Sequence, residues 1–195
     1  MTTFNKVYSV SVNVGKYLLL QTTVLDQILD KDNDNIYVFD GTVKGSKWRK
    51  PTIEWMIISG EESDGLIKPD IAGWGATIFA VSENTANILK DCLEDCCELL
   101  PLTLNGENWF ALHIIGKQHA IDDELTIRNM KNGRPSRTRR FEKLVLKKSE
   151  IKTNGLFRVE GVGLTTYCTD EKGGFYDKVQ TEKLSGLVFK EVNLS

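Results

Sequence analysis

Between Lys6 and Val14 the chain alternates, with Val10, Val12 and Val14 on one side and Ser9, Ser11 and Asn13 on the other, the period of two that a half-buried strand requires. The next apolar stretch, Tyr17 to Leu29, has helical spacing at Leu18, Gln21, Leu25 and Ile28, while its Thr22-Thr23-Val24 run favours extended backbone. Asp30 to Asn35 reads as an acidic, turn-rich loop. Ile36 to Phe39 and Thr52 to Ile58 read as strands, separated by glycines and a Trp48-Arg49-Lys50-Pro51 corner. The polar, glycine-bounded run Gly60 to Gly65 marks the best boundary. It divides a β-rich amino-terminal portion, residues 1–65, from residues 66–195, the two expected to pack as one compact unit.

Beyond that boundary Gly73-Trp74-Gly75 reads as a loop and Ile78 to Val81 as a short strand. A helix over about 82–98 follows: Ser82 can cap it, Glu83 suits its positive end, and Ala86, Leu89, Cys92, Leu93, Cys96 and Leu100 recur every three or four residues. Pro101 disfavours helical backbone in the residue before it, which stops the helix near Glu98. Trp109 to Ile115 predicts a strand, Arg139 to Lys147 and Leu156 to Val159 two more with Gly155 in the turn between them. Asp170 to Lys183 predicts a short helix and Gly186 to Val192 a closing strand. Strands and helices do not alternate as βαβ units would require, so the expected fold is α+β with a mixed or mostly antiparallel sheet.

Composition changes this picture in two ways. The chain has 195 residues, 41% of them hydrophobic, enough to build a core without covalent staples. Its four cysteines, three of them crowded at Cys92, Cys96 and Cys97, form no disulfide framework and suit a reducing compartment. The amino terminus shows no secretory signal and no stretch approaches a membrane span, so the sequence predicts a cytoplasmic protein. The net charge of -2 conceals a division: residues 128–152 hold ten Lys/Arg and two Glu, a net of +8, which leaves the other 170 residues at -10. A basic segment of that density is either a solvated hairpin or an interaction surface.

The candidate chemistry is sparse. Asp30, Asp32 and Asp34 occupy the first, third and fifth places of a calcium loop, but Asn35 stands where glycine is needed and Gly41 where a bidentate Glu is needed. The spacing of Cys92, Cys96 and Cys97 fits no common zinc motif, and a Cys–His nucleophile pair with His113 or His119 is formally possible only, because these thiols sit among Glu94, Asp95 and Glu98, where a thiolate is disfavoured. His119 with Asp122 and Asp123 could form an acid–base pair, or simply a surface turn. Phosphate-binding, dinucleotide-binding, serine-hydrolase and zinc-protease signatures are missing from the sequence. We therefore expect no catalytic residues, cofactor, metal or small-molecule substrate, and a protein partner instead. Asp30, Asp32, Asp34, Glu61, Glu62 and Asp64 could present a negative surface to a basic partner, and Trp74 is either plugged into the core or offered as an aromatic anchor. The basic run Arg134, Arg137, Arg139, Arg140, Lys143, Lys147 and Lys148 argues for nucleic acid, but only Phe141 is interleaved as a stacking group, so nucleic acid is the second expectation.

One set of residues adds a resemblance. Lys68-Pro69-Asp70-Ile71, then Val81-Ser82-Glu83 opening a helix, then Cys97-Glu98-Leu99-Leu100-Pro101-Leu102 are similar to the signature of the immunity-protein-eleven family of bacterial polymorphic-toxin systems. Ala120-Ile121-Asp122-Asp123-Glu124, a strand around Phe141, Leu156-Phe157-Arg158-Val159 and Leu184-Ser185-Gly186-Leu187-Val188-Phe189 follow in the family's order. The resemblance spans about residues 66–195. It departs from the family pattern at Gly116-Lys117-Gln118-His119 and in the density of basic residues from Arg134 to Arg140. It implies an immunity protein that binds and neutralises a cognate toxin domain, with no catalytic residues to carry over.

Overall fold

Two layers of strand share the molecule, a closed barrel and an open sheet, and both draw on residues from each side of the predicted boundary. The computed structural model describes residues 4–31, 39–56, 65–75, 77–136, 138 and 140–195. In chain order the elements are β1 (Val7–Val12), β2 (Leu20–Thr22), α1 (Val24–Lys31), β3 (Thr52–Trp55), β4 (Ile71–Trp74), β5 (Ile78–Ser82), α2 (Glu83–Leu93), β6 (Cys97–Leu104), β7 (Glu107–Ile114) and β8 (Lys117–Gln118). There follow β9 (Ile127–Arg128), β10 (Met130–Lys131), β11 (Arg134–Pro135), β12 (Phe141–Lys143), β13 (Val145–Leu146), β14 (Phe157–Val159), β15 (Thr166–Thr169), α3 (Phe175–Thr181) and β16 (Leu187–Leu194). The α+β expectation holds. No helix among the described residues is long and apolar enough to cross a membrane.

The barrel runs β2-β3-β6-β7-β5-β4 and closes through the parallel pair Leu20↔Trp74. Its longest ladder joins β6 to β7 over eight residue pairs, Cys97↔Ile114 to Leu104↔Glu107. The connecting turn is Asn105-Gly106, with φ of 51° and 84°, the two left-handed residues that match the twist of a tight hairpin. Leu100, Leu102 and Leu104 alternate inward from β6 and meet Leu20, Ile53, Ala72, Trp74, Ala80, Trp109 and Ala111, so side chains fill the barrel interior.

The predicted helix ends early. α2 starts where expected, with the Ser82 hydroxyl accepting from the Thr85 N–H at 3.3 Å, but it stops at Leu93, and Cys97 to Leu104 is strand. The apolar spacing through Cys96 and Leu100 fits a helix as well as the two-residue alternation of β6, and the long ladder to β7 decides between them. Pro101 is tolerated inside this strand because its carbonyl accepts from the Trp48 indole at 2.9 Å. In extended backbone a residue's nitrogen and oxygen point to the same side, so the proline's missing N–H also faces away from β7.

The open sheet has the order β13-β16-β1-β15-β14-β8, antiparallel inside and parallel at its two outer pairs. Tyr8, Val10 and Val12 point from β1 toward α2, α3 and the outside of the barrel, while Val7 points the other way to Phe4, Phe157 and Tyr167. Both faces are therefore covered. β15 lies at the centre, every residue buried, and no expectation from sequence placed a strand there. The predicted Arg139–Lys147/Leu156–Val159 hairpin does not form either. β13 pairs with β16, β14 pairs with β15 and β8, and a 3-10 turn at Lys148–Glu150 lies between them. Tyr17 to Leu29 resolves into both of its signals, β2 up to Thr22 and α1 from Val24. Of the strand expected at Ile36 to Phe39, only Phe39 is described, and it is buried outside any strand.

Residues 1–65 are no separate unit. β1 lies between β15 and β16, and β2 and β3 complete the barrel. The two layers are joined where the loop before β4 meets the turn before β16. The Asp70 carboxylate accepts from the Ser185 N–H at 2.7 Å and hydroxyl at 2.6 Å, and the Ile71 N–H donates to the Ser185 carbonyl at 3.0 Å. Gly186, with φ of +116°, lies directly on the Ile71 carbonyl, where any Cβ would collide. Gly155 makes a similar approach to the Cys92 carbonyl at the end of α2.

These contacts fix a stability series. Gly186→Ala and Gly155→Ala should each cost about 3 kcal/mol, because the obstacle is backbone and cannot turn aside. Gly75→Ala, with φ of +64° but open space around it, should cost only about 1 kcal/mol. Urea unfolding of the three variants checks the order; since Gly155 has no positive φ, a loss there no larger than at Gly75 would show that the close approach does not set the effect.

Candidate functional site

The acidic residues expected to face a partner fall in the least described parts of the chain. Asp32, Asp34, Glu61, Glu62 and Asp64 lie outside the described residues, and Asp30 is described only as backbone near the end of α1. Trp74 is placed fully, and it corrects the loop expectation. It ends strand β4, is 5% exposed, donates from its indole to the Thr22 hydroxyl at 3.1 Å, and packs edge-to-face on Phe39 and Trp48. Between its two meanings, core plug and offered anchor, the structure gives the first.

The most organised polar chemistry lies where Phe39 to Trp48 crosses β6 and β7. His113, on β7, is fully buried, and its Nε2 accepts from the Gly41 N–H at 3.3 Å. That bond assigns the ring proton to Nδ1, which donates to the Glu98 carboxylate at 3.3 Å. Glu98 also accepts from the N–H groups of Lys44 at 2.8 Å and Gly45 at 2.7 Å. Burial alone would raise the Glu98 carboxyl, but these three donors outweigh it and hold the group below its ordinary value. Burial dominates at His113 and holds it below the usual histidine value in spite of Glu98. The ring at pH 7 is neutral, so the contact is a hydrogen bond to a carboxylate and not an ion pair.

Arg158 completes this junction from β14. It is 2% exposed, and its Nη1 donates to the Phe39 carbonyl at 2.7 Å. Its Nε is buried without a hydrogen-bond partner, and no carboxylate among the described residues approaches it within ion-pair distance. Asp40, one residue beyond Phe39, is occupied elsewhere: it accepts from the Thr42 hydroxyl at 2.7 Å and N–H at 3.0 Å, and stands 3.5 Å from Lys44 Nζ. The Thr42 bonds hold the Asp40 carboxyl well below the usual carboxylate range. Arg158 was given no role from sequence, and His113 entered only as a formal partner for a cysteine nucleophile, whereas the structure gives it Glu98 and Gly41 as partners. Each had a signal, a charged or ionisable residue inside an otherwise apolar strand, Ala111-Leu112-His113-Ile114 and Leu156-Phe157-Arg158-Val159.

The other candidates separate. Cys92, Cys96, Cys97 and Cys168 are all buried and reduced. Burial pushes the Cys92 thiol up to about 12, and contact with Cys96 at 3.7 Å together with burial pushes Cys97 up. His119 and Asp122 do not meet as a pair. His119 Nδ1 is 2.7 Å from Glu160 on the surface, whereas the buried Asp122 carboxylate is held below its ordinary value by the Ser195 side chain and the N–H groups of Leu125 and Glu124. The basic segment forms two short ladders, β9 with β12 and β10 with β11, that expose Ile127, Arg128, Met130, Lys131, Arg134 and Lys143. Arg128 is tied down by Asp123 at 2.8 Å and by the Phe141 ring at 5.4 Å. Arg137 and Arg139 lie outside the described residues. No family model matches the chain. No curated protein matches it either.

A buried histidine whose folded pKa lies below its unfolded value is protonated first in the unfolded chain. The stability it supplies is therefore complete above its ordinary pKa of 6.5 and is lost as pH falls through that value. Urea midpoints of the native protein should drop between pH 7.5 and pH 5.5, in the window set by the lowered His113. His113→Gln, which keeps a donor for Glu98 and an acceptor for Gly41, should lose most of that slope; a variant with the full slope would remove His113 as its source.

Proposed function

We propose that this chain is an immunity protein, which binds a cognate bacterial toxin domain in the cytoplasm of the cell that makes it and blocks the toxin's active site or substrate path. The observation that carries the reading is the ordered set of residues from Lys68 to Phe189 that resembles the immunity-protein-eleven family. The reading rests on those residues themselves.

The positions of these residues in the fold support treating them as one signature. Asp70 and Ser185, 115 residues apart, belong to two of the matched segments and bond to each other. Ala120 and Asp122, from a third, bond the backbone of Lys147, just past β13, and of Val145, within it. Cys97 to Leu102 lies in β6 and Leu156 to Val159 carries Arg158 to the buried junction. A scaffold interlocked in this way leaves the loops free to carry specificity, since they vary without disturbing the core. The acidic positions Asp30, Asp32, Asp34, Glu61, Glu62 and Asp64 are the contacts we propose for a basic toxin face, and buried Trp74 is withdrawn from that set.

One observation favours a second reading. The exposed cations of β9 to β12 could contact phosphates, as a nucleic-acid-binding protein would.

A neighbouring gene should encode a toxin domain; co-expression of this chain with it should restore growth, and the purified pair should form a complex tighter than about 1 nM. No rescue and no complex would sink the proposal. Duplex DNA titrated at two salt concentrations separates the second reading, which requires steeply salt-dependent binding that is lost in Arg128→Ala, Lys131→Ala and Arg134→Ala. Asp30→Asn, Asp32→Asn and Asp34→Asn together should leave the urea midpoint unchanged and slow association with the toxin domain; an unaltered association rate takes these residues out of the interface.

A further inference from the structure

Arg158 raises a problem that the junction itself does not solve. A guanidinium almost fully removed from water normally faces a carboxylate, because burying a charge without a partner is expensive. Here it has the Phe39 carbonyl, an unpartnered Nε and no ion pair among the described residues. It lines a cleft of about 260 Å³ together with Asp40, Lys117, Arg140, Glu160 and the Gly161 to Leu164 turn.

Two further cations are held at this cleft. Arg140 Nη1 donates to the Gly161 carbonyl at 3.2 Å, and its guanidinium lies against Gly163, whose φ of +103° suits a residue without a side chain. Lys117 lies over Gly41, its Cε 3.1 Å from where a Cβ would stand. Neither cation has an ion-pair partner among the described residues. The two carboxylates on the rim are turned to other partners, Asp40 to Thr42 and Lys44, and Glu160 to His119. Three cations thus border one concave space while the nearby negative charge is spent elsewhere. The space holds several water-sized groups, each of about 30 Å³ in the liquid, which suits a compact oxyanion.

We propose that the cleft bordered by Lys117, Arg140 and Arg158 is an anion-binding site that takes a compact oxyanion, either a free phosphate or the carboxylate of a partner's Asp or Glu side chain. Arg158 supplies the fixed, buried part of the charge, and Lys117 and Arg140 close over the ligand from the rim. The proposal is independent of the immunity reading, since the site exists whether or not a toxin does.

The test uses the purified full chain at constant ionic strength, with sodium chloride as the balancing salt. Inorganic phosphate and the peptide acetyl-Gly-Asp-Gly-amide are titrated separately, following the melting temperature and the NMR signals of the arginine Nε–H groups. At least one probe should give a saturable shift of the Arg158 Nε–H signal, half-complete near about 1 mM, with a rise in melting temperature. The double variant Lys117→Ala, Arg140→Ala leaves the junction intact and should weaken that response by about tenfold or more. A response to phosphate alone identifies a free anion, and a response to the peptide identifies a protein side chain. No saturable response to either probe, a response that chloride reproduces, or an unchanged affinity in the double variant would each overturn the proposal.

Discussion

The joint between barrel and sheet depends on a single serine and aspartate. Asp70 closes on the N–H and hydroxyl of Ser185, and from there Ile71 enters the barrel while Leu187 enters the sheet. Gly186 lets the two backbones touch, and its own carbonyl accepts from Asn13 at 2.9 Å, just past β1. Three strands of two layers are thus set in register by four residues. A carboxylate that bonds a backbone N–H and a hydroxyl together is among the stronger neutral-to-charged contacts available, and it has directionality that apolar packing lacks.

The second constraint is the segment from Phe39 to Trp48, which crosses β6 and β7 without being a strand. Loops that lie against a core need partners for their backbone polar groups. Glu98 supplies two acceptors for N–H groups, His113 a third and Arg158 a donor for a carbonyl, so the segment is held by side chains where a strand would be held by a ladder. The Phe39 ring, edge-on to His113, Trp48 and Trp74, makes the apolar half of the same attachment. Fixing this segment also fixes the neighbourhood of Asp40, Lys117 and Arg140.

Much of this was readable from the sequence, and the failures have physical causes. Alternation gave β1, the strand expected at Trp109 to Ile115 is β7, and the Ser82 cap placed the start of α2 correctly. The end of α2 was misplaced because Cys96 and Leu100 satisfy two periods at once. Asn105-Gly106 was the discriminating signal, since a tight hairpin there requires strand on both sides of it. β15 was invisible because Thr166-Tyr167-Cys168-Thr169 is buried on both faces, which removes alternation, and is half threonine, which removes the apolar run. Trp74 between two glycines resembled a loop, yet Gly73 is a close-packing position, with Leu19 and Val12 methyl groups 3.0 Å from where its Cβ would be. Glu98 and His113 are opposite one another on the paired strands β6 and β7, but Arg158 comes from β14 and joins them only through the Phe39 to Trp48 segment, so the three could not be grouped from sequence.

The position of β1 sets the order in which the chain can complete itself during synthesis. The barrel is built from residues 20 to 114 and can close as soon as that length has emerged. β1, made before them, pairs Val7 with Thr169 and Val192 and has no ladder partner among the described residues in between. It must wait, as an apolar strand with two open edges, until β15 and β16 have been translated. Short polar positions at Ser9 and Ser11 interrupt that strand, and they are what keeps the waiting segment from being a continuous adhesive run.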